Sequence, residues 1–186
     1  MSETKTIVLR KPLTYGKGAD EKVVTEIALR EPLAGEYEDA ERSAGVFGTS
    51  IALVAILAGV PVDVIDQMYG SQIDEAEDFI ASFGHDIARN PSASPDEIVL
   101  KLQKPVKLTA DDSPLNIATL TLCEPTNRQK RKAAEAGGPF AGGVAMISMI
   151  GKVPKSAVRG LCARDFLAAV GYFNGFQVRR SPDSDD

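Results

Sequence analysis

A single histidine, His85, two cysteines, Cys123 and Cys162, and the adjacent aspartates Asp111 and Asp112 are the residues through which this chain could reach chemistry. None stands in the setting that chemistry requires. One imidazole cannot build a Cys/His or His/His metal centre, and the two cysteines are far apart and suit no ligand spacing. They read as free, reduced thiols, and His85 reads as a solvated loop residue. Asp111-Asp112 lies between two strand-like runs and reads as turn chemistry rather than an acid pair. The glycine-dense stretch around Gly142-Gly143, followed by Gly151-Lys152-Val153, lacks the strand and the hydroxyl residue of a phosphate loop. There is no dinucleotide fingerprint and no nucleophile in a recognisable setting. The expectation is a binding or assembly protein, not an enzyme, with no metal and no cofactor.

Composition agrees. The chain has 186 residues, 44% hydrophobic and 25% charged, with a net charge of −5. These values are ordinary for a globular protein and give no sign of a nucleic-acid binder. The basic cluster Arg128 to Lys132 has no interleaved aromatic platform, which disfavours nucleic acid further. The opening Met1-Ser2-Glu3-Thr4 is polar, so no secretory signal is expected. The apolar run Val46 to Val62 is interrupted by Gly48, Gly59 and Pro61 and falls short of the roughly 20 residues of a membrane span. It reads as a buried core helix.

The elements that must position any binding surface occur twice. Leu29-Arg30-Glu31-Pro32 reappears as Leu122-Cys123-Glu124-Pro125, and 124 − 31 is 93. Lys11-Pro12 recurs as Lys104-Pro105, Gly45 and Phe47 as Gly138 and Phe140, Val60-Pro61 as Val153-Pro154, and Phe83 as Phe176, all at the same offset. Such self-similarity points to two diverged copies of one unit. Residues 1–84 form the first repeat, 85–97 a Pro- and Ser-rich linker, 98–177 the second repeat, and 178–186 a tail expected to be disordered.

Each repeat reads as a β-hairpin followed by three to four helices. In the first, residues 5–11 form a strand ended by Pro12, a glycine-bearing loop follows, and Val23 to Arg30 alternates, with Val23, Thr25, Ile27 and Leu29 on one face. Glu31-Pro32 makes the corner between sheet and helix, because proline keeps the preceding residue extended and suits a first helical turn. Glu31 is either a carboxylate at a helix N-terminus or, in a functional role, a partner contact or an acid. Leu33 to Ala44 reads as a polar, largely exposed helix, and Thr49 or Ser50 as the cap of the core helix that follows. A short helix opens at Pro61, and a last helix carries Ile73, Ala76, Phe79, Ile80 and Phe83 inward. In the second repeat the last helix runs from Arg164 to Asn174. The fold class is therefore α+β, two tandem hairpin-plus-helices units packed as a pseudo-twofold pair, since one unit alone would bury only a small core.

The repeats differ most in charge. Residues 1–93 carry 8 Lys/Arg and 16 Asp/Glu, net −8; residues 94–186 carry 13 and 10, net +3. Positions 36–39 read Glu-Tyr-Glu-Asp in the first repeat and Gln-Lys-Arg-Lys in the second. The two fields either attract halves or successive molecules, or are solvated surfaces that diverged.

The order Leu9-x-Lys11-Pro12, then Leu29-Arg30-Glu31-Pro32, then an acidic helix with Ala40-Glu41, resembles the small tail assembly chaperones of P2- and Mu-like contractile-tailed bacteriophages. Asp165-Phe166 followed by Phe173 and Phe176 is similar to the closing helix of that family. Departures are the tandem copies, Cys123 in place of Arg30, and Gln72-Ile73 in place of an acid and an aromatic. The resemblance implies a chaperone in the host bacterial cytoplasm that binds the phage tape measure protein, keeps it soluble and helps recruit the tail tube protein. The alternative is a structural or adaptor component kept in the virion. Self-association is possible, and neither nucleic acid nor membrane is expected as a partner. The expected partner-binding residues are Glu31, Pro32, Glu36, Glu38 and Asp39, with Glu124, Pro125, Lys130, Arg131 and Lys132 at or near the matching positions, and the aromatics Tyr172, Phe173 and Phe176.

Overall fold

The computed structural model describes residues 3–84, 95–108 and 115–176. His85, most of the linker, Asp111-Asp112 and the tail lie outside the described residues. Two antiparallel hairpins and eight α-helices make up two similar halves. The first half runs β1 (Thr4–Tyr15), β2 (Lys22–Arg30), α1 (Ala34–Ser43), α2 (Thr49–Ala58), α3 (Val62–Ile65) and α4 (Gly70–Ala81). The second runs β3 (Glu97–Leu108), β4 (Leu115–Cys123), α5 (Asn127–Ala134), α6 (Pro139–Gly151), α7 (Lys155–Arg159) and α8 (Ala163–Asn174). All four strand pairs of ends are separated by 93 residues, as in 97 − 4 and 123 − 30.

The first strand does not stop at Pro12. It continues to Tyr15 because the ladder shifts register between Val8 and Leu13, where Pro12 needs no N–H to pair. The same shift falls between Lys101 and Val106 in the second hairpin. Past the bulge Leu13 pairs with Val24, which turns Val24 toward the core and leaves Val23 exposed, the reverse of simple alternation from Val23.

One side chain clamps each bulge. Gln72, from α4, donates to the Val8 carbonyl at 2.9 Å and accepts from the Arg10 N–H at 3.5 Å. At the matching position of α8, Asp165 accepts from the N–H groups of Gln103, at 3.0 Å, and Lys104, at 3.3 Å. Both clamps are buried, Gln72 at 5% and Asp165 at 2% exposure. The clamps satisfy strand N–H and C=O groups that the bulge leaves without ladder partners.

A two-stranded hairpin is marginal by itself. Here Ile7, Leu9, Leu13, Ile27 and Leu29 are covered by α2, α3 and α4, and Leu102, Val106, Ile117, Leu120 and Leu122 by α6, α7 and α8. The core helix α2 starts from Gly48 without a side-chain cap, so neither Thr49 nor Ser50 plays that part. It ends at Gly59, φ 65°, and α6 ends at the equivalent Lys152, φ 52°. A lysine holds a left-handed cap that glycine adopts at no steric cost.

The halves share one apolar core. α1 packs on α6 and α7, and α8 packs on the 3-10 turn Ser82–Gly84 that follows α4. The contacts of α1 run one way. A pseudo-twofold pair would also press α5 against α2 and α3, and no comparable contact exists among the described residues. α1 is accordingly not a largely exposed helix: Ala34, Gly35, Tyr37 and Ala40 are buried, with α2 of its own half and α6 and α7 of the second half packed against it.

Asp165→Ala would strand the Gln103 and Lys104 N–H groups beneath α8. We expect a loss of about 2–3 kcal/mol in urea unfolding, while Asp165→Asn, which keeps one acceptor, should lose less.

Candidate partner-binding surface

The corner at Glu31-Pro32 is where the halves meet. The β2 strand delivers Glu31 to the boundary, and Pro32 turns the chain into α1. Leu33 then pairs with Cys162 in an isolated antiparallel bridge, flanked by Ala34 N–H to the Leu161 carbonyl and Ala163 N–H to the Pro32 carbonyl, each 2.8 Å. Burying a carboxylate is costly unless it is paired and hydrogen-bonded. Glu31, 5% exposed, accepts from Lys104 Nζ at 2.9 Å and from the Arg164 N–H at 3.2 Å. Burial pushes its pKa up, but the hydrogen bonds from Lys104 and the Arg164 backbone help to outweigh that, and it lies below the usual carboxylate value. The bond to Glu31 in turn raises the pKa of Lys104. Cys162 is buried, and desolvation pushes its thiol up to about 12.

α1 adds three more anchors. Glu38 and Asp39 both bind the Arg159 guanidinium, Asp39 at 2.8 Å, and hydrogen bonds to Asp39 and Glu38 raise the Arg159 pKa. Glu41 accepts from the N–H groups of Phe140, 3.2 Å, and Ala141, 3.0 Å, capping α6 from the other half. Tyr37 stacks on Phe140 with ring centroids 4.8 Å apart, and burial raises its pKa well above the phenol range. Glu36 faces away from the junction. It accepts from the Leu33 N–H at 2.8 Å, closing the first turn of α1, and pairs with Arg30.

The residues at or near matching positions in the second half are differently placed. Glu124, Arg131 and Lys132 are exposed, Pro125 is buried, and Lys130 is half-buried and donates to the Phe176 carbonyl at 3.1 Å. Tyr172 and Phe173 are 8% and 7% exposed and belong to the core. The Tyr172 hydroxyl donates to the carbonyls of Pro95 and Asp96. Phe176 is half-buried, with its ring edge against Tyr172 at 5.2 Å. The structure thus brings Glu31, Pro32, Glu38 and Asp39 together inside the chain and leaves Glu124, Arg131 and Lys132 on the surface.

Two grooves complete the surface. One of about 420 Å³ lies between α5, α6 and α8, with Pro125, Lys130, Met146, Val170 and Phe173 in its wall. The other, about 360 Å³, is walled by Tyr37, Thr49, Ser50, Leu53, Glu77 and Ile80, with Phe140 and Leu167 of the second half. Tyr37, Leu53, Glu77 and Ile80 are the equivalents of Lys130, Met146, Val170 and Phe173. The two grooves therefore lie at equivalent positions, that of the first half closed in addition by Phe140 and Leu167 of the second.

Lys104, Arg159, Arg164 and the clamps Gln72 and Asp165 are absent from the expected partner-binding residues, although the repeated Lys-Pro and the exchange of Asp165 for Gln72 already set three of them apart. Asp66 standing where the second half has Arg159 was the available signal, a charge inversion outside the first helix of each repeat. No group of His, Cys, Asp and Glu among the described residues is placed to hold a metal ion. No described helix is long and apolar enough to cross a membrane.

Residues 6–84 match the family model of phage tail assembly chaperone proteins, E, or 41 or 14. The match covers the first half, and the chain resembles these proteins there from β1 to the turn after α4. It supports a chaperone role in tail assembly, with phage tail proteins as the partners. No curated protein and no solved structure matches the chain significantly.

Glu31 stabilises the folded chain while ionised, so its contribution is present above the ordinary carboxylate pKa and is lost as pH falls through its lowered folded value. Glu31→Gln should cost about 1–3 kcal/mol near neutral pH. Its stability should converge on that of the parent in acid, as read by thermal unfolding across pH 3–7.

Proposed function

We propose that the chain is a non-enzymatic chaperone of phage tail assembly that works in the host cytoplasm, holding the tape measure protein soluble and promoting tail tube assembly around it. The observation that carries this reading is the pair of equivalent grooves, one in each half, joined to the resemblance of the first half to tail assembly chaperones. Each groove is open, walled mainly by apolar side chains, and lies between helices. An amphipathic helix docks in such a groove by placing residues at i, i+3, i+4 and i+7 against the wall. A tape measure protein is expected to be long and helical, so it offers many such segments, and two grooves on one rigid chain hold two of them with a gain from effective concentration. The rims differ in charge, with Lys130 on one groove and Glu77 on the other. The two sites therefore favour segments of opposite charge.

Co-expression of the tape measure protein with the chain should keep it in the soluble fraction. Ser50→Lys, in the exposed wall of the first half's groove, and Val170→Lys, in that of the second half, should each reduce the tape measure protein recovered with the chain. The double variant should lose it, while thermal melting of the Ser50→Lys chain stays within a few degrees of the parent. Unchanged recovery by the double variant would remove the grooves from client binding. A transient chaperone is absent from purified virions by mass spectrometry, and its presence there in tail-like copy number would favour an adaptor role instead.

A further inference from the structure

The junction between the halves is a one-way contact, and a one-way contact leaves both its surfaces open elsewhere. The corner of the first half, Glu31 with α1, sits on Lys104, Arg159 and the Leu161–Ala163 segment of the second half. Subtracting or adding 93 gives the unused counterparts: the corner of the second half, Glu124 with α5, and a seat on the first half made of Lys11, Asp66 and Met68–Gly70. Lys11, Asp66, Gly70, Glu124, Arg131 and Lys132 are exposed. Tyr69 is 52% exposed where its counterpart Cys162 is 1% exposed. Among the described residues, no hydrogen bond joins the Asn127 or Gly70 N–H to another segment, although Ala34 and Ala163, at the matching positions, are bonded across the junction.

The charges on these two open surfaces fit each other. The Glu31–Lys104 pair is kept as Glu124 and Lys11. Arg159 on the seat, between Glu38 and Asp39 on the corner, is replaced with signs exchanged by Asp66 on the open seat and Arg131 and Lys132 on the open corner. Bulk is exchanged too. A Cβ on Gly35 would come within 3.1 Å of Arg159, so the corner of the first half is small where the seat is large. In the open pair the corner carries Arg128 and the seat carries the short Asp66.

We propose that a second copy of this chain docks here, seating its Lys11, Asp66 and Met68–Gly70 on the Glu124–Pro125 corner and α5 of the first. The contact repeats the internal junction between molecules, so the halves alternate along an open head-to-tail row. The first-half corner and the second-half seat are already closed inside each chain, so the second-half corner and the first-half seat are the surfaces left to meet. In a chain whose junction has opened, Glu38 and Asp39 against Asp66, or Arg131 and Lys132 against Arg159, set like charges together and disfavour the exchanged pairings. Glu41 and Tyr37 have no counterpart in kind, their positions being Ala134 and Lys130. The contact between molecules is therefore weaker than the internal one and rests more on charge, which salt screens. It needs no client.

Sedimentation velocity of the purified full chain tests this. The parent should form concentration-dependent species larger than a dimer at low salt and return to monomer at high salt. Asp66→Arg alone, and Arg131→Glu/Lys132→Glu alone, should be monomers with the far-ultraviolet circular dichroism of the parent. An equimolar mixture of the two should assemble again, because each variant's altered surface then meets an opposite charge. Lys11→Glu and Glu124→Lys form a second such pair, to be read in the same way should one of the first variants misfold. A monomeric parent at low salt, variants that assemble as the parent does, or mixtures that stay monomeric would each overturn the proposal.

Discussion

The arrangement depends on one buried carboxylate. Glu31 leaves water at the corner between β2 and α1, and the partners that compensate for this come from the other half: the Lys104 ammonium and the Arg164 N–H. Lys104 is in place only if the β3 bulge is formed, and that bulge is held by Asp165 from α8. The first half therefore completes its own corner only against a folded second half. A unit of this size buries too little on its own to be more than marginal. The continuous apolar core and the corner contact together make the two halves interdependent.

The two halves share a scaffold but not a surface. Strand ends, the bulge, the clamp position and the helix order are repeated, because each is set by backbone hydrogen bonding that both halves must satisfy. What differs lies on the outside of α1 and α5 and at the ends of α3 and α7. Asp66 and Arg159, or Asp39 and Lys132, occupy equal backbone positions with opposite charge. One pair of surfaces is closed inside the chain and the other is exposed. The repeated groove is the exception, an apolar feature kept in both halves, and it is the feature that suits an elongated client.

Much of this was legible from sequence. The constant offset marked the two halves, the alternation around Ile27 and Leu29 marked the strands, and the Glu-Pro corners marked the step from sheet to helix. The limits have physical causes. Pro12 reads as a strand end, but a bulge tolerates a residue without an N–H. α1 reads as solvated because Glu36, Glu38, Asp39 and Glu41 crowd it, yet three of these four bond the other half, and local polarity does not reveal a partner 99 or more residues away. Twofold pairing follows naturally from duplication, but a single chain is free to join two like units head to tail. Gly35 and Arg159 at the closed junction, against Arg128 and Asp66 on the two open surfaces, show that the two pairs of surfaces diverged to do so. Tyr172 and Phe173, an aromatic pair that sequence offers as a contact surface, are drawn inward, where the Tyr172 hydroxyl ties the closing helix to the start of β3.

The central claim is that the halves meet one way, corner of the first on seat of the second. Leu33 and Cys162 face each other in a non-hydrogen-bonded antiparallel pair, a geometry in which Cα atoms are about 4.5 Å apart, within reach of a disulfide. The most direct measurement is therefore cross-linking in a chain carrying Cys123→Ser, at high dilution under mild oxidant, with products read by peptide mass spectrometry. Leu33→Cys should bond to the native Cys162 within one molecule. The matching pair Tyr69→Cys/Thr126→Cys, placed in a Cys162→Ser background, should not close within one molecule. A chain in which Tyr69→Cys and Thr126→Cys join internally, or in which Leu33→Cys and Cys162 do not, would contradict the one-way junction.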